Sequence, residues 1–151
     1  MVQDSLLEFA DKMNQMMPII IKEFAKRQAN ELYKGKITFP QFVILEFLSS
    51  HADSKMTDIA HFMEVSTAAA TGIVERLVRY EYVLREFDPR DRRTIRIKLT
   101  TKGLELLKKT NQQRRQMIIN TFGKISEVDR QDYLRILTQI KNILTEIRPN
   151  P

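Results

Sequence analysis

The stretch Met56-Thr57-Asp58-Ile59-Ala60-His61-Phe62-Met63-Glu64-Val65-Ser66-Thr67-Ala68-Ala69-Ala70-Thr71-Gly72-Ile73-Val74-Glu75-Arg76-Leu77 decides the fold. It holds two short helical patterns separated by Glu64-Val65-Ser66. Ser66 suits a helix N-cap, because its hydroxyl accepts from amides that the first turn leaves without partners. Beyond it Ala70, Ile73, Val74 and Leu77 recur at helical spacing and define one apolar stripe. The opposite face carries small side chains: Thr67, Ala68, Ala69, Thr71 and Gly72. A helix that is bulky on its buried side and trimmed on the other approaches a second surface closely. Short helix, turn and second helix is the helix-turn-helix plan, in which the second helix enters the DNA major groove.

Working outward, Tyr82 to Phe87 reads as one strand and Thr94-Ile95-Arg96-Ile97-Lys98-Leu99 as a clearer one. In the latter, Ile95, Ile97 and Leu99 share one face, with Thr94, Arg96 and Lys98 on the other. Asp88-Pro89-Arg90-Asp91-Arg92-Arg93 joins them, with Asp and Pro as turn formers, and is long enough to project. From Arg85 to Lys98 the chain carries Arg85, Arg90, Arg92, Arg93, Arg96 and Lys98 against Glu86, Asp88 and Asp91, a local net of +3. A cationic ribbon beside a major-groove helix suits the narrow minor groove, whose negative potential attracts arginine.

At this point the chain resembles the MarR-type bacterial transcriptional regulators. The resemblance rests on Ile37-Thr38-x-x-Gln41-Phe42-x-x-Leu45, Val65-Ser66, Thr71, Glu75-Arg76-Leu77, Asp88-Pro89-Arg90-Asp91-Arg92-Arg93 and Leu99-Thr100-Thr101-Lys102-Gly103. The segment from Asp88 to Arg93, followed by Leu-Thr-x-Lys-Gly, is its most specific part. It implies a mainly α fold with a small β-hairpin wing, read as one domain over 1–151. A winged helix-turn-helix lobe spans 37–99, and dimerisation helices span 5–34 and 101–147. It further implies a cytoplasmic homodimer on double-stranded DNA, released by a small apolar or aromatic effector.

Composition bounds the function. Lys plus Arg number 25 against 19 Asp plus Glu, a net charge of +6 with a sequence pI near 9.7. Such an excess favours a polyanionic partner. The chain has no cysteine, which excludes disulfides, thiol redox sensing and cysteine-based zinc sites within it. No apolar run approaches the roughly 20 residues of a membrane span, and the N-terminal residues lack the apolar core of a signal peptide. No membrane contact is expected.

In chain order, Ser5 to Glu8 fits a capping box that begins a first helix, along which Leu6, Phe9, Met13, Met16 or Met17, Ile20 and Phe24 form an apolar stripe. Pro18 should kink this helix rather than break it, and Gly35 is a plausible stop. Thr38-Phe39-Pro40-Gln41 resembles a second capping box, for a central helix ending near Ser49-Ser50. Thr57 is expected to cap the third helix and Ser66 the fourth. Thr100 or Thr101 begins a long fifth helix through Leu104, Leu107, Met117, Ile118 and Phe122. Its middle, from Lys108 to Gln116, has no apolar residue and reads as a solvated span. Ser126 caps a last helix on which Tyr133, Leu137, Ile140, Leu144 and Ile147 recur, flanked by Ile136 and Ile143. The first and last helices carry more apolar surface than the small central lobe can cover, and a second copy would cover it.

The expected DNA-binding residues are as follows. Ser66, Thr67, Ala68, Ala69, Thr71 and Gly72 face the major groove, where hydroxyls bond base edges and Ala touches thymine methyls. Arg76 reaches a phosphate or a guanine, or else forms an internal ion pair. Arg90, Arg92 and Arg93 form the wing, with Asp91 orienting a neighbouring guanidinium. Lys36, Thr38, Lys55 and Thr57 lie at helix starts, which commonly hold phosphate. Met13, Met16, Met17, Phe24, Phe42 and Phe47 line an effector pocket, or else are plain core. Two positions depart from the family pattern: Gly72 stands where Arg is frequent, which weakens base reading there, and Glu81 stands where Gly usually ends the recognition helix. Glu81 needs either an uncommon positive φ or a different turn.

Enzymatic chemistry finds little footing. His51 and His61 match no metal-ligand spacing with the nearby carboxylates, and no phosphate-binding glycine loop, Gly-x-Ser-x-Gly or His-Glu-x-x-His is present. No cofactor is expected. The alternatives to a DNA-binding repressor are an adaptor that uses the same fold on proteins, and a DNA-binding activator.

Overall fold

The computed structural model describes residues 2–27 and 36–146. Its elements in order are α1 (Val2–Arg27), α2 (Phe39–Ser50), β1 (Ser54–Lys55), α3 (Met56–Met63), α4 (Thr67–Arg79), β2 (Val83–Phe87), β3 (Ile95–Leu99), α5 (Thr101–Phe122) and α6 (Glu127–Glu146). The fold is mainly helical with one small antiparallel sheet in the order β1-β3-β2. Residues 1–114 and 115–151 form two compact units.

The core of the first unit is built by the stripes that periodicity picks out. Ala70, Val74 and Leu77 of α4 are fully buried against Phe42, Ile44 and Leu45 of α2 and Ile59 of α3, with Ile37, Val83 and Ile97 completing the cluster. Close packing of these side chains holds α4 against α2. β2 and β3 pair from Val83↔Leu99 to Phe87↔Ile95, so Val83, Arg85 and Phe87 share a face with Leu99, Ile97 and Ile95. At the root that face closes the core; at its outer end Phe87 and Ile95 are exposed.

The caps explain most boundaries. At α2 the Thr38 hydroxyl accepts from the Gln41 amide at 3.4 Å, and the Gln41 side chain accepts from the Thr38 amide at 2.9 Å, a reciprocal capping box with Pro40 in the first turn. Ser66 Oγ accepts from the Ala69 amide at 3.1 Å and Thr100 Oγ1 from the Gly103 amide at 3.0 Å. In the second unit Ser126 Oγ accepts from the Asp129 amide at 3.1 Å.

Several expectations need correction. α1 begins at Val2, not Ser5, because nothing in Val2-Gln3-Asp4 stops a helix and Asp4 favours its positive end. As expected, the helix does not break at Pro18. Gly35 and Ile147 lie outside the described residues. The third helix is not capped by Thr57: Lys55 is its N-cap residue, and the Asp58 carboxylate accepts the Lys55 amide at 2.7 Å, leaving Thr57 exposed in the first turn. The two-residue strand β1 has no counterpart in the periodicity. On α5 the buried leucines are Leu106 and Leu107, while Leu104 is exposed. Nor is the middle of α5 wholly solvated: Thr110 is buried, and the Arg114 guanidinium lies 5.2 Å from the centre of the Phe42 ring and 4.0 Å from Glu46. A long cationic side chain shields apolar surface with its stem, so a stretch without apolar residues still packs.

Candidate nucleic-acid interface

The recognition helix α4 presents Ser66, Thr67, Ala68, Ala69, Gly72 and Arg76 to solvent, with Thr71 half-buried beside them. The buried side of the helix is the Ala70-Val74-Leu77 stripe. Thr71 Oγ1 donates to the Thr67 carbonyl at 2.7 Å, so its donor is turned back onto the helix and the oxygen is left to accept. A Cβ added to Gly72 would meet no atom within 4 Å. The slender profile there is therefore not demanded by packing. Arg76 forms no ion pair among the described residues; its guanidinium stands 5.8 Å from the centre of the Tyr80 ring.

Both helices of the helix-turn-helix end on a glutamate in the left-handed region, Glu64 at φ 55° and Glu81 at φ 63°. After α4 the Tyr82 amide donates to the Leu77 carbonyl and the Glu81 amide to the Val78 carbonyl, both at 2.9 Å. This is the Schellman arrangement that glycine ordinarily completes. Of the two routes open to Glu81, the chain takes the positive φ, held by the Thr100 hydroxyl, which donates to the Glu81 carbonyl at 2.7 Å.

The wing is shaped by two aspartates. Asp88 Oδ1 accepts the Arg90 amide at 2.8 Å and Asp91 Oδ1 the Arg93 amide at 3.0 Å, two successive Asx turns. Asp91 Oδ2 also accepts from Thr94 Oγ1 at 3.1 Å. Asp91 thus orients the backbone of the loop and enters no ion pair with a guanidinium among the described residues. The carboxylate that holds a guanidinium is Asp88, with Arg96 at 2.6 Å from Nε. The Arg96 Nη1 also donates to the Asp53 carbonyl, which joins the wing to the turn before β1. Hydrogen bonding from the Arg90 amide, then from Arg96, holds the Asp88 carboxyl below its ordinary range. Lys98 sits between Glu86 at 2.5 Å and Asp53 at 3.2 Å, and its ammonium is held above the usual lysine range by those bonds.

These pairings sort the six hairpin cations into two classes. Arg85, bound to Glu75 of α4 at 2.8 Å, ties the wing to the recognition helix. Arg96 and Lys98 are likewise consumed internally. Arg90, Arg92 and Arg93, at the exposed tip, enter no ion pair among the described residues. The local positive excess is therefore concentrated where the hairpin projects. The sequence marks Asp88 only as a turn former; its hold on Arg96, and the parts of Glu75 and Asp53, are not legible there beyond the alternation of charge along β3.

At the flanking helix starts, Lys36, Thr38, Lys55 and Thr57 are all exposed. The six residues considered for an effector are dispersed in burial. Phe42 is sealed in the core, and Phe47 is half-buried and stacked 4.4 Å from both His51 and Phe62. Met13 and Phe24 are half-buried, while Met16 and Met17 are exposed. Among the described residues no three His, Asp or Glu side chains converge on a metal-sized site, and no helix is long and apolar enough to cross a membrane.

The MarR family model matches residues 37–95, the segment that holds α2, the helix-turn-helix and the wing up to the start of β3. The chain belongs to the MarR family. Among curated relatives, the HTH-type transcriptional regulator YpoP of Bacillus subtilis is 25% identical over 115 residues, covering 76% of this chain and 82% of the relative. The transcriptional repressor NicR of Pseudomonas putida is 32% identical over 105 residues, 70% of this chain and 66% of the relative. Among solved structures, YusO from Bacillus subtilis has a TM-score of 0.75 at 20% identity over 89% of this chain and 96% of that one. A Staphylococcus aureus MepR variant bound to an oligodeoxyribonucleotide has a TM-score of 0.64 at 22% identity, covering 87% and 96%. The MarR family and the curated relatives YpoP and NicR are transcriptional regulators, not enzymes. Glu81, at the position where the resemblance leads one to expect glycine, itself adopts the left-handed conformation at φ 63°.

Proposed function

We propose that this MarR-family chain is a sequence-specific DNA-binding repressor that acts in the cytoplasm as a homodimer on a palindromic operator. The observation that carries the reading is the division of labour within the hairpin. The strand cations are consumed in pairs that brace the wing against α4, while Arg90, Arg92 and Arg93 are left exposed and unpaired beside a helix face of small residues. In this reading α4 seats Ser66, Thr67, Ala68, Ala69, Thr71 and Gly72 against base edges, with Arg76 on the backbone nearby. The wing arginines enter the adjacent minor groove, Asp91 shapes the loop that carries them, and Lys36, Thr38, Lys55 and Thr57 hold phosphates. The name of NicR and the oligonucleotide-bound MepR variant support repression and duplex binding, respectively.

Exposed apolar surface supports the homodimer. α6 has no buried residue, and Tyr133, Ile136, Leu137, Ile140, Ile143 and Leu144 are all at least 40% exposed; Leu6, Phe9, Ile19 and Ile20 of α1 are similarly bare. Monomeric proteins rarely leave such patches uncovered. The whole chain then acts as one domain, with 37–99 as the DNA-binding lobe and 5–34 and 101–147 as dimerisation segments. In this reading a small apolar or aromatic effector held by Met13, Met16, Met17, Phe24, Phe42 and Phe47 would alter the spacing of the two recognition helices and so the population able to span both half-sites.

The test is selection of bound fragments from a pool of random duplexes by the purified chain. The reading requires enrichment of an inverted repeat with half-site centres about 10 base pairs apart. Enrichment of no sequence, or of a single unrepeated one, rejects it.

A further inference from the structure

Gln41 is the one residue of the α2 core face whose side chain is polar. It is 4% exposed, beside Phe42, Ile44 and Leu45, none of which has measurable exposure. An amide at such a place is unfavourable unless both of its ends are satisfied. The two ends of Gln41 point to different elements. Oε1 accepts from the Thr38 amide at 2.9 Å, which closes the capping box of α2. Nε2 donates to the main-chain carbonyl of Ile73, in the middle of α4, at 3.5 Å and across 32 residues of chain. The Ile73 carbonyl follows directly after Thr71 and Gly72, on the segment that carries the exposed small-residue face.

We infer that Gln41 is a positioning residue that sets the rotation and depth of the recognition helix by tying its backbone at Ile73 to the capped start of α2. Apolar contacts between α2 and α4 hold the two helices together, but such contacts are non-directional and tolerate small slides and rotations. A hydrogen bond to one named carbonyl does not. The tie also links two parts of the DNA-facing surface: Thr38, at the α2 start, and the base-facing side of α4 move as one body. Only glutamine serves both ends. Glutamate would set an acceptor against the Ile73 carbonyl, and methionine, of similar shape, would leave both Thr38 and Ile73 without their partner.

This inference rests on the DNA-binding reading above, and its test separates the two. Duplexes selected by the wild-type chain and scrambled duplexes of the same composition are titrated with wild type, Gln41→Met and Gln41→Glu, each checked for folding by circular dichroism and thermal melting. The tie predicts that Gln41→Met lowers the preference for selected over scrambled duplex by about tenfold, while affinity for scrambled duplex, set mainly by phosphate contacts, changes by less than about twofold. It also predicts that Gln41→Glu recovers preference as pH falls and the introduced carboxyl gains a proton to donate to Ile73, a recovery absent from wild type. A folded Gln41→Met that discriminates as well as wild type overturns the inference and leaves the DNA-binding reading standing. If wild type binds no duplex, the DNA-binding reading falls. Hydrogen exchange then reads the tie by itself: faster exchange confined to residues 73–77 in Gln41→Met supports it, and unchanged exchange overturns it.

Discussion

Nε and Nη2 of Arg96 both rest on Oδ2 of Asp88, at 2.6 and 2.5 Å, while the other oxygen of Asp88 turns the wing at the Arg90 amide. One carboxylate thereby shapes the loop and anchors it to the strand. The three unpaired arginines project from a base that this contact makes rigid.

Because these bonds hold the Asp88 carboxyl below its ordinary range, the sign of its pH effect is fixed. The stabilisation is complete above the unfolded carboxylate value near 4 and is lost as pH falls through the lower, folded value. The wing should therefore loosen only below about pH 4. Asp88→Asn should remove this acid limb and weaken duplex binding at neutral pH by roughly tenfold, consistent with loss of a charge-assisted pair. Acid melts followed by hydrogen exchange at residues 88–96, with and without the substitution, check both statements. An acid limb identical in the two proteins would assign it to other groups.

Glu81 adopts a conformation that costs a non-glycine residue on the order of 1 kcal/mol. Its ion pair with Lys102, at 3.4 Å and well exposed, returns little. Glu81→Gly should raise stability by about 0.5–1 kcal/mol, after the greater entropy of glycine in the unfolded chain is subtracted. Thermal or urea unfolding measures it, and a loss of stability would mean that the Lys102 contact outweighs the backbone strain.

Two glycines on helices should respond in opposite ways to alanine. Around Gly72 there is open space, so Gly72→Ala should stabilise by up to about 1 kcal/mol through helix propensity alone. At Gly103 an added Cβ would lie 2.0 Å from the Tyr82 carbonyl oxygen, which α5 approaches directly. Gly103→Ala should destabilise by about 2–4 kcal/mol as α5 is pushed from the strand. Unfolding curves of the two variants decide it; equal effects would contradict the packing described.

What the sequence discloses and what it conceals divide along the range of the interactions. Ser66, Thr38 and Thr100 are legible because a cap needs only residues three positions apart. The strand from Ile95 to Leu99 is legible because alternation is local. β1 is not, since two residues carry no period and their pairing is dictated by β3, forty positions on. Residue type favours Thr57 as a cap, yet a backbone amide at Lys55 and the carboxylate of Asp58 take that task. Within the interface, the wing arginines stand out in the sequence as a cluster. Which of the six cations are spent cannot be read there, because Glu75 and Asp53 come from other elements and reach Arg85 and Lys98 only once the sheet has formed. Gln41 illustrates the same limit: its capping role is written within four residues, and its hold on Ile73 only in three dimensions.

The most direct measurement is a fluorescence-anisotropy titration of a selected duplex with wild type and with Arg92→Ala/Arg93→Ala, repeated over a range of salt concentrations. The account predicts saturation at two protomers per duplex. It also predicts that the double variant binds more weakly, with a log–log salt slope shallower by up to about four, two lost phosphate neutralisations on each of the two protomers. Wild type that ignores duplex DNA at low ionic strength, or a double variant with unaltered affinity and slope, would contradict it.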